Sequence, residues 1–366
     1  MSKISATIVA DSINQQGDRI TTMLVTFPRF ILAELNTHRM LSKNSASSRA
    51  IPFNKMVESV QNDPFIPIAW QKEHSGMQGT EYLTNKDSFE DDYGKYSFNV
   101  VENTWLKTRD EAVKQAKKLT KFGVTKQLAN RLLEPFMWHT VLITSTEWEN
   151  FFSLRCPQYE STLGIFRSWR DLSLAYSGGT DISNSYEYFD GFSTLERLSK
   201  NKGMAEIHMM ALAEAMWDAM NESKPKQLQP GEWHIPFEDK IILSPTIPID
   251  EGYTLEEGVA MRKVKIATAM AARTSYTVVG DEKEFTTEQQ ISLHDRMANQ
   301  VPFHASPFEH CARVMYQNEY ETYHKGRLAD YTSTMEGYWY KYESIGWCRN
   351  YRGFIQYREI LEHDKN

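Results

Sequence analysis

Apolar and polar positions alternate first with the two-residue period of strands and later with the 3.6-residue period of helices. ISATIVADSI and RITTMLVTF are rich in β-branched and apolar residues, and the intervening NQQGD supplies turn residues, so residues 4–27 predict a hairpin. Pro28 permits a helix start, and RFILAELNTHR continues it with a mainly apolar face. The polar run MLSKNSASSRAIP follows, in which Ser and Asn compete with helical hydrogen bonding until Pro52 closes it. Residues 64–98 read as loop, punctuated by Pro64, Pro67, Gly76, Gly79 and Gly94.

Helical spacing resumes near 100–121 and in KQLANRLLE, which Pro135 is expected to end. MWHTVLITST is short and β-branched, and its periodicity leaves a buried strand and a helical turn equally open. A helix over about 203–221 places Ile207, Met210, Ala211 and Ala215 on one face. Further helices run through GVAMRKVKIATAMAARTSY and near 287–299, the latter with Thr287 and Gln290 as a candidate capping box. Ahead of the helix at 203–221, residues 158–202 are rich in Ser and aromatics (Tyr159, Phe166, Trp169, Tyr176, Tyr186, Tyr188, Phe189, Phe192), a composition that suits an ordered insertion better than a flexible linker.

Composition narrows the class. With 366 residues, 41% apolar and 24% charged, the chain is long enough for two or three domains or one elaborated domain and is neither disordered nor fibrous. Cys156, Cys311 and Cys348 are too few and scattered for a disulfide framework, which suits a reducing compartment. No apolar run approaches the ~18 residues of a membrane span, and MSKISATIVADS has no secretory core, so the expectation is a cytoplasmic chain without a membrane partner. A net charge of -7 argues against charge-driven nucleic-acid binding but leaves room for a basic pocket for one nucleotide.

Phosphate loops, dinucleotide fingerprints, nucleophile elbows and C-x-x-C pairs are missing. Chemistry concentrates in three segments. Thr37–Arg49 packs His38, Arg39, Lys43, Arg49 and several hydroxyls into thirteen residues, which suits a phosphorylated ligand; a solvated basic turn is the plain alternative. His304-Ala305-Ser306-Pro307-Phe308-Glu309-His310 raises a metal site, but Pro307 and the adjacency of Glu309 and His310 break the face that metal ligands need. A helix N-terminus capped by Ser306 with Pro307 at its first position fits better, and its amides can hold an anion. In the third segment, Glu147–Cys156, Arg155 can steer an anion, while Cys156 has no evident activating partner.

Together these segments resemble the flavin-dependent thymidylate synthases. That family carries Arg-His-Arg, seven residues, then Ser, with inner Ser and Asn and a following Arg. Thr37-His38-Arg39, Ser42, Asn44, Ser47 and Arg49 match at the same spacing, with Thr37 in place of the first arginine and Ser45 in place of a common Glu. His304, Ser306, Glu309 and His310 resemble the family's His-x-Ser/Thr-x-x-Glu-His segment, and Ala272, Arg273, Ser275 and Tyr276 its Ala-Arg-x-Ser-Tyr. Asn150 and Arg155 resemble the asparagine and arginine of a segment ending in Leu-Arg. Ala205-Glu206-Ile207-His208 matches the downstream substrate element less closely, with Met204 and His208 where Gln and Arg are usual. A long, phage-type branch shares the Asn36-Thr37-His38-Arg39 form and a PGEWH-like segment. The motif order is rearranged: the His304 segment follows the His38 segment by some 260 residues instead of preceding it.

The resemblance implies an α/β (α+β) fold with a mixed sheet flanked by long helices. It divides the chain into a flavin and nucleotide core (1–157 and 203–245), the aromatic insertion (158–202) and a C-terminal part (246–366). It implies reductive C5 methylation of dUMP to dTMP with FAD as cofactor and NADPH and methylenetetrahydrofolate as co-substrates, without a cysteine nucleophile or a metal. His38, Arg39, Asn44, Asn150, Ser306 and Glu309 would contact FAD, and Ser47, Arg49, Arg155 and His208 the pyrimidine deoxynucleotide monophosphate. Arg155, Ser47 and His304 would be catalytic, Arg155 stabilising negative charge on the pyrimidine and His304 lying near flavin and folate. A homotetramer with active sites between subunits is also implied, in the host cytoplasm if the chain is virus-encoded. Three alternatives stay open: hydroxymethylation or hydroxylation of dUMP or dCMP, a catalytically silent nucleotide-binding relative, and a metal enzyme using His304, Glu309 and His310.

Overall fold

The structure, a computed structural model, describes residues 4–76, 79, 81–92, 94–179, 194–199, 201, 205–243, 254–276, 285–323 and 345–363. Met204, Tyr186, Tyr188, Phe189 and Phe192 lie outside these residues.

Strands β1 (Ser5–Ile13) and β2 (Arg19–Pro28) form the expected hairpin, in antiparallel register from Ser5–Thr26 to Ile13–Arg19. Its turn needs Gly17 at a φ of 89°, and the Asn14 side chain accepts from the Asp18 amide at 2.8 Å. Pro28 closes β2 and does not open a helix; one 3-10 turn follows, and α1 is only Leu32–Asn36. Thr37 stops it, because its amide and hydroxyl both return to the Glu34 carbonyl, at 3.1 and 2.7 Å.

The polar run that follows contains β3 (Ser42–Ser45), then α2 (Phe53–Asn62). The loop-rich stretch carries the hairpin β4 (Ser88–Asp91) and β5 (Gly94–Ser97), and α3 (Asn99–Lys121) covers the predicted helix. KQLANRLLE is helical only over α4 (Lys126–Ala129); a 3-10 segment continues through Pro135 to Phe136. MWHTVLITST resolves as strand β6 (Trp138–Ser145). Next come α5 (Glu149–Arg155), the hairpin β7 (Tyr159–Ser161) and β8 (Gly164–Phe166), α6 (Trp169–Tyr176), α7 (Thr194–Ser199) and α8 (Ile207–Glu222). Helix α8 starts later than its spacing predicts because the Glu206 carboxylate caps it, accepting from the His208 and Met209 amides.

The short strands β9 (Lys226–Gln227) and β10 (Trp233–His234) lead to α9 (Leu255–Arg273), opened by a Thr254–Glu257 capping box, and α10 (Thr287–Ala298). The capping box of α10 is Thr286 with Gln289, one residue before the expected pair, because Thr286 is the last extended residue. After a 3-10 turn at Ser306–Glu309 come β11 (Ala312–Val314), α11 (Gln317–Thr322), β12 (Trp347–Cys348), β13 (Tyr351–Arg352), β14 (Phe354–Gln356) and α12 (Tyr357–His363).

The main sheet has the order β3-β6-β2-β1-β9 and is mixed, since β1 and β9 run parallel and the other neighbours antiparallel. Its two faces bury different things. Met23, Val25, Phe27, Val141 and Ile143 pack against Phe151 and Phe152 of α5 and Met209, Leu212 and Met216 of α8. Each such side chain contributes about 1.5–3 kcal/mol on burial. The opposite face of α8 holds Ile207, Met210 and Ala211 against Tyr159, Leu172 and Leu198, so this helix is buried on two sides while Ala215 is only half-buried. The other face of the sheet presents Ser12, Thr22, Thr144, Ser42 and Asn44, all buried, together with Leu142 against Phe237 and Ala271. A second sheet, β10-β11-β14, draws strands from both sides of residue 246 and lies near this polar face. Among the described residues no helix is long and apolar enough to cross a membrane.

Candidate active site

Asn44 is the joint of the site. It is 4% exposed, and pairing of β3 with β6 (Asn44 opposite Leu142) turns its amide inward. Its Nδ2 donates to the Ala271 carbonyl at the end of α9. Its Oδ1 accepts from the Ser306 hydroxyl at 3.1 Å, with the Ser275 hydroxyl at 3.5 Å. The Ser47 amide donates to the Ser275 carbonyl at 3.0 Å. Segments separated by 231 and 262 residues therefore meet on one side chain.

Ser306 reaches Asn44 from inside the four-residue 3-10 turn, and Ala305, not Ser306, occupies the capping position. The anion-binding helix terminus expected there is absent; the serine hydroxyl bridges two segments instead. Beyond the joint the chain turns sharply, with the Ser47 carbonyl accepting from the Ala50 and Ile51 amides at 2.9 and 3.1 Å. Ser48 is buried and donates to Glu134, and Asn130 Nδ2 donates to the Ser48 carbonyl at 2.6 Å. The Ser47 hydroxyl has no hydrogen-bond partner among the described residues, and Arg49 is exposed without an ion pair there.

His38 and Arg155 form the second half. Arg155, the last residue of α5, donates from Nε to His38 Nε2 at 3.1 Å. An arginine is always a donor, so Nε2 is the lone-pair nitrogen and the ring proton sits on Nδ1. Burial, then Arg155, then Lys43 hold the His38 pKa down to about 4, so the ring is a neutral donor at Nδ1. Its edge packs on Phe151, ring centroids 5.0 Å apart. Arg155 is held loosely elsewhere: Glu34 and the Thr37 hydroxyl each lie at 3.5 Å. Burial, then Glu206, raise the Glu34 pKa against the pull of Arg155.

Lys43 was visible in the sequence only as one charge among several. Its Nζ donates to the carbonyls of His38 at 2.7 Å and Leu35 at 3.3 Å, and burial lowers its pKa to about 8. Asn350 holds the same loop from the C-terminal side, donating to the Met40 carbonyl and the Ser42 hydroxyl, each at 3.0 Å. No sequence pattern marks Asn350, because its role depends on a contact across 310 residues.

The other sequence-predicted residues are more dispersed. Arg39 and His304 are exposed, and Arg39 has no ion pair among the described residues. Asn150 is exposed on the first turn of α5, about 140° around the helix from Arg155. Glu309 pairs with Arg358 at 2.7 Å. His208 is 2% exposed, its Nε2 accepting from the Ile68 amide at 3.0 Å and its Nδ1 meeting Glu206 at 2.5 Å. Both ring nitrogens are occupied within the core, so the nucleotide contact assigned to His208 is not offered by an accessible side chain. His310 is buried on Thr144, and among the described residues no group of three His, Cys, Asp or Glu is placed to hold a metal. Cys156 is buried, and burial raises its pKa, which leaves an inert thiol.

Fold and site thus define a mixed α/β protein in which a cluster of cationic and hydroxyl side chains is assembled from segments distant in the sequence. No protein-family model and no curated protein matches it. Among solved structures it is similar to the UMP/dUMP methylase PolB from Streptomyces cacaoi bound with 5-Br UMP, at 14% identity over 60% of this chain and 89% of that one, with a TM-score of 0.36. The same protein bound with 5-Br dUMP shows 14% identity over 52% of this chain and 97% of that one, with a TM-score of 0.31. Superpositions this loose say nothing by themselves about what the present chain binds.

Proposed function

We propose that the protein is a flavin-dependent pyrimidine nucleotide C5-methyltransferase that converts dUMP to dTMP with methylenetetrahydrofolate and NADPH. One observation carries this: the three segments that resemble the flavin-dependent thymidylate synthases, 37–49, 272–276 and 304–310, are joined through Asn44 despite their rearranged order.

The donor set suits FAD. His38 Nδ1 is a neutral N–H without a partner among the described residues, Arg39 and His304 are exposed, and Asn44 and Ser306 are hydrogen-bonded to each other. Bound there, FAD would supply the redox chemistry, passing reducing equivalents from NADPH. The chain's own residues do the rest. Arg155, anchored through Nε on His38 at 3.1 Å and held at its two terminal nitrogens only at 3.5 Å by Glu34 and Thr37, would turn those nitrogens to the pyrimidine and stabilise negative charge as C5 becomes nucleophilic. The Ser47 hydroxyl and the exposed Arg49 guanidinium, without partners among the described residues, suit a nucleotide phosphate. Lys43 and Asn350 fix the loop that aims His38.

The test incubates the full chain with FAD, NADPH and methylenetetrahydrofolate, offers dUMP and dCMP in parallel, and identifies products by mass. dUMP gaining a methyl group only when the folate is present is the expected result. A hydroxymethylated or hydroxylated product, or turnover of dCMP alone, replaces the methylation step; no product from either nucleotide leaves a silent nucleotide-binding protein. Light scattering of the same sample tests the expected homotetramer.

A further inference from the structure

A hydroxyl and imidazole chain crosses the polar face of the main sheet, and the chemistry above does not use it. Ala10, Thr22, Thr144 and Ser42 form one cross-strand row over β1, β2, β6 and β3, and Ser12 lies on the same face two residues along from Ala10. The second sheet lays two histidines on this row. Ser12 Oγ meets His234 Nδ1 at 2.9 Å, and His234 Nε2 meets Thr22 Oγ1 at 2.8 Å. Thr22 Oγ1 meets Thr144 Oγ1 at 2.8 Å, and Thr144 Oγ1 meets His310 Nδ1 at 2.8 Å. These residues range from 0% to 4% exposed.

The two ends differ. Ser12 lines a cavity of about 500 Å³ between β1, β9 and β10, whose rim carries the exposed Lys224, Lys226 and Asp239 and so opens to solvent. At the other end His310 Nε2 is buried without a partner among the described residues. There Thr144 stands opposite Ser42, two residues from Asn44 on the same face of β3, while the Tyr351 hydroxyl donates to the carbonyl of Glu309, the neighbour of His310. If this row served packing alone, valine in place of each threonine would fill the same volume without polar groups to satisfy.

We propose that Ser12, His234, Thr22, Thr144 and His310 form a buried proton path between the cavity at the sheet edge and the strand that carries Asn44. A proton taken up at His310 Nε2 sends the Nδ1 proton to Thr144, the Thr144 proton to Thr22 and the Thr22 proton to His234 Nε2. The His234 Nδ1 proton then passes to Ser12, whose own proton leaves into the cavity; the reverse sequence carries a proton inward. Burial lowers the pKa of both imidazoles to about 3, with His234 adding to the effect on His310, so each rests neutral, His234 with both nitrogens hydrogen-bonded and His310 bonded through Nδ1. A reaction in the site that gains or loses a proton then has a route to solvent apart from the site's own mouth. The path's existence does not depend on the nucleotide reading, and its test uses no substrate.

In the full chain labelled with 15N-histidine, ring N–H exchange of His234 and His310 is followed in D2O, with the backbone amide of His139 in β6 marking global opening. The ring proton of His310 is expected to exchange at a rate near that of His234 and at least tenfold faster than the His139 amide. Thr22→Val should slow His310 tenfold or more and leave His234 unchanged, and Thr22→Ser should restore the rate. Ser12→Ala, which closes the path at its mouth, should slow both rings and stands in if Thr22→Val does not fold. His310 exchange no faster than the His139 amide in the wild type, or unaltered by Thr22→Val or by Ser12→Ala, overturns the path.

Discussion

Replacing Asn44 by alanine removes a side chain that joins its own segment to two distant ones. The amide donates to the buried Ala271 carbonyl and accepts from Ser306 at 3.1 Å, while the 3.5 Å contact with Ser275 adds little. A lost intramolecular hydrogen bond costs roughly 0.5–1.5 kcal/mol net, and a buried group left unpaired costs about 1–3 kcal/mol. With Asn44 only 4% exposed, water cannot readily replace it, so Asn44→Ala should destabilise by about 2–4 kcal/mol. At an unfolding entropy of about 2.1 cal/mol/K per residue, a chain of 366 residues should lose roughly 3–5 °C in Tm. Asn44→Asp should cost as much, because its carboxylate would face the Ala271 carbonyl without a donor. Differential scanning calorimetry measures the shift, and FAD titration of the same variants should show weakened uptake. A Tm within half a degree of wild type together with unchanged FAD binding would refute the idea that Asn44 assembles the site.

Four further predictions follow from the geometry. Arg155→Ala should weaken dUMP binding by roughly 10- to 150-fold, the worth of a charge-assisted hydrogen bond of about 1.5–3 kcal/mol. His208→Gln should leave dUMP affinity within about twofold while lowering stability by about 1–3 kcal/mol, since its ring serves the core; calorimetric titration separates the two. His38, held to about 4, and His139, His234 and His310, held to about 3, all bind protons less readily folded than unfolded. The unfolded chain therefore gains protons first, and the urea midpoint should fall steadily as pH drops from 6.5 through 4; a flat profile would contradict their burial as neutral rings. Lys43 follows the same logic at higher pH: its pKa of about 8 lies below the unfolded value, so between pH 8 and 10 the wild type should gain stability relative to Lys43→Gln, measured by urea midpoints.

Local chemistry made the regular elements legible. The hairpin over 4–27, helix α3 and the two C-terminal long helices follow from alternation, helical spacing and caps, because those signals reside in neighbouring residues. β6 was ambiguous because a strand buried on both faces has no amphipathic period. β3 was hidden for a different reason. Ser42-Lys43-Asn44-Ser45 has little intrinsic strand preference and is held by pairing with β6 and by Asn350 from the far end of the chain. The resemblance named His38, Arg39, Asn44, Ser47 and Arg49 with the His304 and Ala272 segments, and the structure joins Asn44 to Ser275 and Ser306. That Arg155 would donate to His38, or that Ser306 would bridge to Asn44 and not cap a helix, depends on tertiary distances that no local pattern encodes. His208 was misleading because its motif position says nothing about the Ile68 amide that occupies its ring.

The claim that the Asn44 and His38 segments form a flavin site is tested most directly by titrating the purified full chain with FAD and recording the visible absorbance of the protein after gel filtration. Stoichiometric, yellow protein whose flavin is lost in Asn44→Ala is the result the account predicts. A protein that stays colourless at saturating FAD would contradict it.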